Sequence, residues 1–222
     1  MPENKLPTDI ERASMRIITE ELASRGVTLP EENAAVIRRV IHTTADFDFA
    51  ENLRFTAGAV RHGIEALSRG QVIVTDTNMA CSGISKPGLT RLGGQALCFM
   101  AEPEIAAQAK SQGTTRAVAA VEHAAALYPE AILAVGNAPT ALLKIADLIE
   151  TGLRPALVIG VPVGFVNVVE SKERLFAVCQ EYGVPAIVAM GRKGGSTVAA
   201  AVCNALIYTA TDMLDPSARG WN

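Results

Sequence analysis

Val135-Gly-Asn-Ala-Pro-Thr140 is the first of three loops of small residues that decide the fold of this chain. The others are Ile159-Gly-Val-Pro-Val-Gly-Phe165 and Ala189-Met-Gly-Arg-Lys-Gly-Gly-Ser196. Each loop follows an apolar run and precedes a helix-like one, and in an open parallel sheet such loops meet at the carboxyl edge, where ligands bind. Glycine lets backbone N–H groups approach a ligand closely, and helix N-termini attract anions. The three loops therefore predict a site for a sizeable acidic molecule.

Five short apolar runs are typical of strands that are buried on both faces of a parallel sheet. They are Val72-Ile-Val-Thr, Ala96-Leu-Cys-Phe-Met, Ala131-Ile-Leu-Ala-Val, Ala156-Leu-Val-Ile and Ala186-Ile-Val-Ala-Met. Helical spacing of apolar residues predicts helices between and after them, over residues 104–112, 115–127, 140–150, 170–181 and 195–211. The pattern predicts an α/β protein with a doubly wound, mostly parallel sheet of about five strands.

The first 70 or so residues show helical spacing instead. Two helices begin at Pro7 and at Pro30, and a third is predicted over residues 51–68. We expect this N-terminal helical region to pack on the sheet, so that residues 1–222 form a single α/β domain with a full core. The tail that begins at Asp215 is expected to be frayed, with Trp221 outside the core.

The composition limits the class of function. Apolar residues make up 49% of the chain and charged residues 19%, which argues against disorder. A net charge of −3 argues against a nucleic acid or an anionic membrane as partner, so local positive groups must hold any acidic ligand. The polar N-terminus lacks a signal peptide, and no apolar run reaches the roughly 18 residues of a membrane span. We therefore expect a cytoplasmic protein.

The cysteines and the glycine motifs argue against metal and nucleotide sites. The cysteines form no Cys-x-x-Cys pair, and their spacing with the three histidines is not that of a metal site. We interpret them as reduced thiols, most of them in the core: Cys81, Cys98, Cys179 and Cys203. The dinucleotide fingerprint, the P-loop and the Gly-x-Ser-x-Gly elbow are absent from the sequence.

His42 is the histidine whose surroundings suggest chemistry. It lies near the end of the second predicted helix, and Arg38 and Arg39 precede it on the same helical face. Asp46, four residues later, would orient the imidazole if the helix continued. A histidine titrates near ~6.5 and can give or take a proton near neutral pH. The alternative is a structural histidine at a helix end, and no chemical role is assigned to the other two, His62 and His123.

Six segments occur together in this chain: Ser14-Met-Arg-Ile-Ile, Ile41-His-Thr-Thr-Ala-Asp-Phe, Thr75-Asp-Thr-Asn-Met-Ala, Val135-Gly-Asn-Ala-Pro-Thr-Ala-Leu, Ile159-Gly-Val-Pro-Val-Gly-Phe-Val-Asn and Gly191-Arg-Lys-Gly-Gly-Ser. In this combination and order they resemble the precorrin-8X methylmutase family, or precorrin isomerases, which includes the cobalt-precorrin-8 methylmutases. The resemblance extends over about residues 8–210, nearly the whole chain. It is therefore more specific than any single motif.

The resemblance implies an isomerase of cobalamin biosynthesis. Such an enzyme moves a methyl group from carbon 11 to carbon 12 of precorrin-8X or cobalt-precorrin-8, and gives hydrogenobyrinic or cobyrinic acid. The family's histidine corresponds to His42, whose implied role is that of a general acid that protonates the macrocycle and starts a 1,5-sigmatropic methyl shift. An isomerisation implies no redox cofactor and no catalytic metal held by the protein. The family also implies a homodimer with the site near the subunit interface.

The implied substrate is a corrinoid tetrapyrrole, an apolar ring that carries many carboxylates, in agreement with the acidic ligand expected from the loops. We expect the loops to bind these carboxylates through Asn137, Gly160, Gly164, Gly191, Arg192 and Lys193. The resemblance adds the contact residues Ser14 and Arg116. It also adds Ser85 and Lys86, where the family often has threonine and arginine. Lysine keeps the charge but lacks the bidentate fork of arginine, so the exact contact at this loop stays open.

Several alternatives stay open on the sequence alone. A corrinoid-binding carrier without turnover would use the same loops, and only His42 distinguishes it, because a carrier needs no acid. A different α/β enzyme would use the loops to hold a phosphorylated small molecule. Ordinary solvated positions are the alternative for four of the site residues, Ser14, Arg116, Arg192 and Lys193. The sequence does not indicate whether the natural substrate contains cobalt.

Overall fold

A six-stranded sheet lies at the centre of the computed structural model, which describes residues 6–219. The strands are β1 (Leu53–Phe55), β2 (Ile73–Thr75), β3 (Ala96–Leu97), β4 (Ile132–Val135), β5 (Leu157–Gly160) and β6 (Ala186–Ala189). Their spatial order is β1-β6-β5-β4-β2-β3, and all neighbours are parallel except β1, which is antiparallel to β6. The carboxyl ends of the five parallel strands therefore share one edge.

Helices connect the strands and cover both faces of the sheet. The α-helices of the described residues are α1 (Pro7–Ser24), α2 (Glu31–Thr44), α3 (Phe49–Asn52), α4 (Ala59–Ser68), α5 (Asn78–Gly83), α6 (Lys86–Arg91), α7 (Pro103–Gln112), α8 (Arg116–Leu127), α9 (Pro139–Glu150), α10 (Val168–Glu181) and α11 (Ser196–Ala210). A 3-10 helix, Pro216–Arg219, follows α11 near the C-terminus.

Two hydrophobic cores, one on each face of the sheet, explain why the sequences of the strands are continuous apolar runs. In β4, Ile132 and Ala134 face the core formed with α2, α4 and α11. Their neighbours Leu133 and Val135 face the core formed with α8, α9 and α10. Because successive strand residues point to opposite faces, both sets must be apolar. The predicted doubly wound, mostly parallel α/β fold is confirmed.

The predicted third helix over residues 51–68 is confirmed from residue 59 onward, as α4, but is wrong for residues 53–58. Residues Leu53–Phe55 form β1, which pairs with β6, and Leu53 lies opposite Ala189. The helix α4 begins only after Gly58, which has a left-handed φ of 68°. The pairing of β1 is a contact with a distant part of the chain, so local periodicity does not reveal it. The short helices α5 and α6 were not predicted either.

A buried ion cluster ties the C-terminal tail to the N-terminal helices, so the expectation of a frayed tail is wrong. The Arg219 Nη1 atom donates to both Glu11 carboxylate oxygens at 2.9 and 2.7 Å, and Arg39 Nη2 donates to one of them at 2.7 Å. Both guanidinium groups also lie over the Tyr208 ring. Burial opposes ionisation of Glu11, but the two arginines hold its pKa below the usual value. Trp221 lies outside the described residues.

Replacing Glu11 with glutamine should destabilise the fold by about 3–5 kcal/mol, because the change removes a buried carboxylate that pairs with two buried guanidinium groups. Urea unfolding at neutral pH measures the loss. The matched control is Glu20→Gln on the same helix, where the carboxylate is 69% exposed and pairs with Arg16. The control should lose less than about 1 kcal/mol. Equal losses in the two variants would contradict the importance of the buried cluster.

Candidate active site

The loop after β4 is built around a carboxylate of the protein itself. Asp76, directly after β2, accepts the N–H groups of Gly136, Asn137 and Ala138 at 2.8, 2.8 and 2.7 Å. Asp76 is only 6% exposed, and burial raises the pKa of its carboxyl group, whereas the three N–H donors stabilise the ionised form. The backbone N–H groups of this loop are therefore occupied, contrary to the expectation that they bind the ligand. Only the exposed side chain of Asn137 is available there.

The loops after β2, β4 and β6 pack directly on one another at the carboxyl edge. The Thr77 hydroxyl caps α5 by accepting the Ala80 N–H, and it lies 2.8 Å from the Ser196 hydroxyl at the start of α11. Gly136 approaches the same place so closely that a Cβ atom would lie 2.8 Å from the Ser196 Cα atom. Glycine is therefore required at position 136 by the contact between two loop backbones.

The loop after β6 turns its carbonyl groups toward the protein interior. The Lys172 ammonium on α10 donates to the carbonyl oxygens of Gly191 and Lys193 at 2.8 and 2.9 Å. The Gly164 N–H donates to the intervening carbonyl of Arg192 at 3.3 Å. Lys172 is 0% exposed, and burial lowers its pKa to about 8. This lysine was not predicted as a site residue. The signal in the sequence is a charged residue on the apolar stripe of α10, between Val168 and Leu175, where a buried side chain is expected.

The two cationic side chains of this loop have different surroundings. The Lys193 ammonium lies 2.7 Å from an Asp46 oxygen and 2.6 Å from an Asp48 oxygen, and these partners raise its pKa. Arg192 is exposed and lies over the Phe165 ring, 5.6 Å from its centroid, without an ion pair among residues 6–219. Within residues 6–219, Arg192 is therefore the cation of this loop that is not paired with a carboxylate of the protein.

His42 and Ser14 line the same cleft between α1 and α2, which has a volume of about 270 Å³. The end of α2 lies beside the loop after β6, since Asp46 pairs with Lys193. Burial and the charge of Arg39 lower the pKa of His42 below its usual 6.5, although Glu11 opposes the effect. We expected Asp46 to orient the His42 imidazole if α2 continued beyond it. The helix ends at Thr44, so Asp46 does not lie on the next helical turn after His42. The imidazole is half-buried and faces a cleft that opens to solvent.

The structure assigns local roles to several predicted site residues. The Ser85 hydroxyl caps α6 by accepting the Gly88 N–H at 3.3 Å, and the Lys86 ammonium donates to the Cys81 carbonyl at 2.7 Å. Gly160 is buried at the end of β5, where a Cβ atom would lie 2.8 Å from a Leu175 methyl group. Gly160 therefore serves close packing beneath its loop.

Arg116 lies farther along the same edge of the sheet. It is the first residue of α8, directly after Thr115, which caps that helix by accepting the Val118 N–H. The Thr115 hydroxyl lies 3.1 Å from the Thr140 hydroxyl at the start of α9. Since α9 begins after β4, the carboxyl edge extends from His42 and Arg192 at one end toward Arg116 on the other side of β4. The exposed Arg116 side chain faces solvent there.

This geometry defines an α/β protein whose candidate ligand site lies at the carboxyl edge of its sheet, where Arg192 and glycine-rich loops are found and where Asp46, near His42, pairs with Lys193. No helix of residues 6–219 is long and apolar enough to cross a membrane. Within the same residues, histidine, cysteine and acidic side chains form no cluster of three or more that could hold a metal ion.

Comparisons with known proteins identify the family. The model of the precorrin-8X methylmutase family matches residues 9–209. A cobalt-precorrin-8 methylmutase of Salmonella typhimurium is 44% identical over 91% of this chain and 95% of its own. A precorrin-8X methylmutase of Pseudomonas aeruginosa is 38% identical over 89% of this chain and 93% of its own. The crystal structure of the precorrin-8x methyl mutase from Thermus thermophilus matches with a TM-score of 0.82 and 43% identity, over 91% of this chain and 98% of that chain.

The chain belongs to the precorrin-8X methylmutase family. It is an isomerase that catalyses the migration of a methyl group, as the names of its relatives state. The predicted family resemblance and the predicted enzyme class are thereby confirmed.

The Asp76→Asn variant should lose about 2–4 kcal/mol of unfolding free energy, because an amide cannot replace three charge-assisted hydrogen bonds from backbone N–H groups. Urea unfolding measures this loss. Asp147→Asn is the control, because Asp147 forms an exposed ion pair with Arg174 on the surface of α9. It should lose less than about 1 kcal/mol. If the Asp76 variant is as stable as the control, the carboxylate does not organise these loops.

Proposed function

We propose that this enzyme moves a methyl group from carbon 11 to carbon 12 of precorrin-8X or cobalt-precorrin-8, as a step of cobalamin biosynthesis. The product is hydrogenobyrinic acid, or cobyrinic acid when the substrate contains cobalt. The observation that carries this proposal is the placement of His42, a half-buried imidazole in a cleft at the end of α2, where Asp46 pairs with Lys193 of the loop after β6. Family membership supports the same substrate class. The free thiols of the four cysteines suit a reducing compartment such as the cytoplasm.

His42 acts as the general acid in the proposed mechanism. It gives a proton to the bound macrocycle, the methyl group migrates in a 1,5-sigmatropic shift, and the proton then returns to the imidazole. Substrate and product have the same composition, so the step needs no oxidant, reductant or other co-reactant. Burial and Arg39 disfavour the imidazolium form in the free protein. A polyanionic substrate offsets this effect, because negative charge near an imidazole favours its protonated form.

The carboxylates of the macrocycle bind to the loops at the carboxyl edge. Arg192 is the cation best placed for this task, because it is exposed and lacks an ion pair within the described chain. Lys193 exchanges part of its contact with Asp46 and Asp48 for a substrate carboxylate. The other proposed contacts come from Ser14 in the cleft and from the neighbouring loops: Ser85, Lys86, Arg116, Asn137 and Gly191. Gly160 is buried and the Gly164 N–H donates to the Arg192 carbonyl, so these two predicted contacts shape the loops instead of binding a carboxylate.

A second copy of the chain completes the site in this proposal. The cleft beside His42 has about 270 Å³, whereas ligand pockets typically have ~300–1,000 Å³. One protomer therefore covers only part of a macrocycle. Leu6, Ile10 and Ile17 are exposed apolar residues on and just before the helix that carries Ser14, and they offer a surface that a homodimer would bury.

The turnover of precorrin-8X, followed by its absorption spectrum, tests the proposal. His42→Ala should be slower than wild type by at least about 100-fold, because positioned proton transfer contributes ~10²–10⁴-fold. The value of kcat/KM for wild type should fall as the pH rises above the lowered pKa of His42, since only the imidazolium form donates a proton. His62→Ala is the matched control, because His62 lies on α4 and lines a different cleft. It should retain wild-type turnover.

Three results would point elsewhere. Equal turnover by wild type and His42→Ala would keep the enzyme but remove the imidazole from the mechanism. Binding of precorrin-8X and of cobalt-precorrin-8 without any turnover by wild type would favour a corrinoid carrier. Failure to bind either compound would refute the substrate class.

A further inference from the structure

We propose that Lys172 is a positioning residue that directs the backbone N–H groups of Arg192, Lys193 and Gly194 toward the ligand, where they bind a substrate carboxylate. The inference rests on the proposed function for the identity of the ligand. It concerns a side chain that does not itself reach the substrate, because Lys172 is entirely buried beneath the loop after β6.

A lysine is an unexpected residue at this position. It lies on the buried stripe of α10, where Leu175 and Cys179 are also fully buried. Its ammonium contacts two carbonyl oxygens and has no carboxylate partner among residues 6–219. A buried charge without a counterion is costly, and an apolar side chain of similar length would pack here without that cost. The two hydrogen bonds to the loop are what an apolar residue could not supply.

The hydrogen bonds determine which way the peptide groups of the loop face. The carbonyl groups of Gly191 and Lys193 point inward to the buried Lys172 ammonium, and the carbonyl group of Arg192 points to the Gly164 N–H of the neighbouring loop. The described chain has no cis peptide bonds, and in a trans peptide the N–H points opposite to the carbonyl. The next N–H group after each carbonyl therefore points away from the group that holds that carbonyl.

These N–H groups are the donors that the proposal assigns to the ligand. They belong to residues 192–194, and none of the three has an acceptor within the described part of the chain. Arg192 and Lys193 are exposed, and Gly194 is half-buried. Successive backbone N–H groups without a protein acceptor are a common way of binding anions. The positive charge of Lys172 lies behind them, and the Arg192 guanidinium lies on the same loop.

The loop after β4 provides an internal comparison within the same sheet. Its three successive N–H groups, from residues 136–138, already hold the Asp76 carboxylate at 2.7–2.8 Å. The loop after β6 presents the same number of successive N–H groups without a protein carboxylate, because Asp46 and Asp48 contact the Lys193 side chain instead. The equivalent place is therefore open for a carboxylate that the ligand carries.

The test compares wild type with Lys172→Met, and uses Lys110→Met on the exposed surface of α7 as the control. Steady-state turnover of precorrin-8X should show a KM at least tenfold higher for Lys172→Met, with kcat changed less than threefold, because His42 and its cleft are untouched. This split is the signature of lost binding rather than lost chemistry. The control should have wild-type values. A lower kcat with an unchanged KM would overturn the proposal.

A second measurement does not depend on the stability of the variant. Hydrogenobyrinic acid is titrated into wild type, and the backbone amide resonances of Arg192, Lys193 and Gly194 are followed by NMR. We expect all three to shift at saturation, and those of residues 136–138 to move less, since Asp76 occupies them. Resonances of residues 192–194 that stay in place while the product binds would refute the inference alone. If wild type binds no corrinoid, the proposed function is refuted, and so is the assignment of a corrinoid carboxylate to this loop.

Discussion

The Asp76 carboxylate lies beneath the loops that follow β2 and β4 and accepts three N–H groups from the second of them. The contact joins two neighbouring strands at their carboxyl ends and fixes the backbone of Gly136. That glycine in turn touches the start of α11 at Ser196, whose hydroxyl bonds to Thr77. The carboxyl edge is therefore a connected surface in which one buried charge orients several loops, and the ligand site depends on it.

The charge distribution at this edge suits an acidic ligand although the whole chain has a net charge of −3. The protein's own carboxylates are engaged with internal partners: Asp76 with backbone N–H groups, and Asp46 and Asp48 with Lys193. Among residues 6–219, Arg192 has no ion pair and the N–H groups of residues 192–194 have no acceptor. Under the proposed function these groups attract carboxylates locally, where the net field of the protein does not.

The sequence predicted the parallel sheet because both faces are buried, which turns β4, β5 and β6 into continuous apolar runs. It did not predict β1, because residues 53–55 become a strand only by pairing with the distant β6. The role of Asp76 was not predicted for the same reason, because the N–H groups that it binds lie about 60 residues away in the sequence. Family resemblance selected His42 and Ser14, and the structure places both in one cleft. Lys172 was detectable from its place on a buried helical stripe.

A crystal structure with bound hydrogenobyrinic acid tests the central claim most directly. We expect the macrocycle to lie against His42 and Ser14, with one carboxylate on the N–H groups of residues 192–194 and Asp76 still bound to residues 136–138. A macrocycle that binds away from His42, or whose carboxylates avoid the loop after β6, would contradict it.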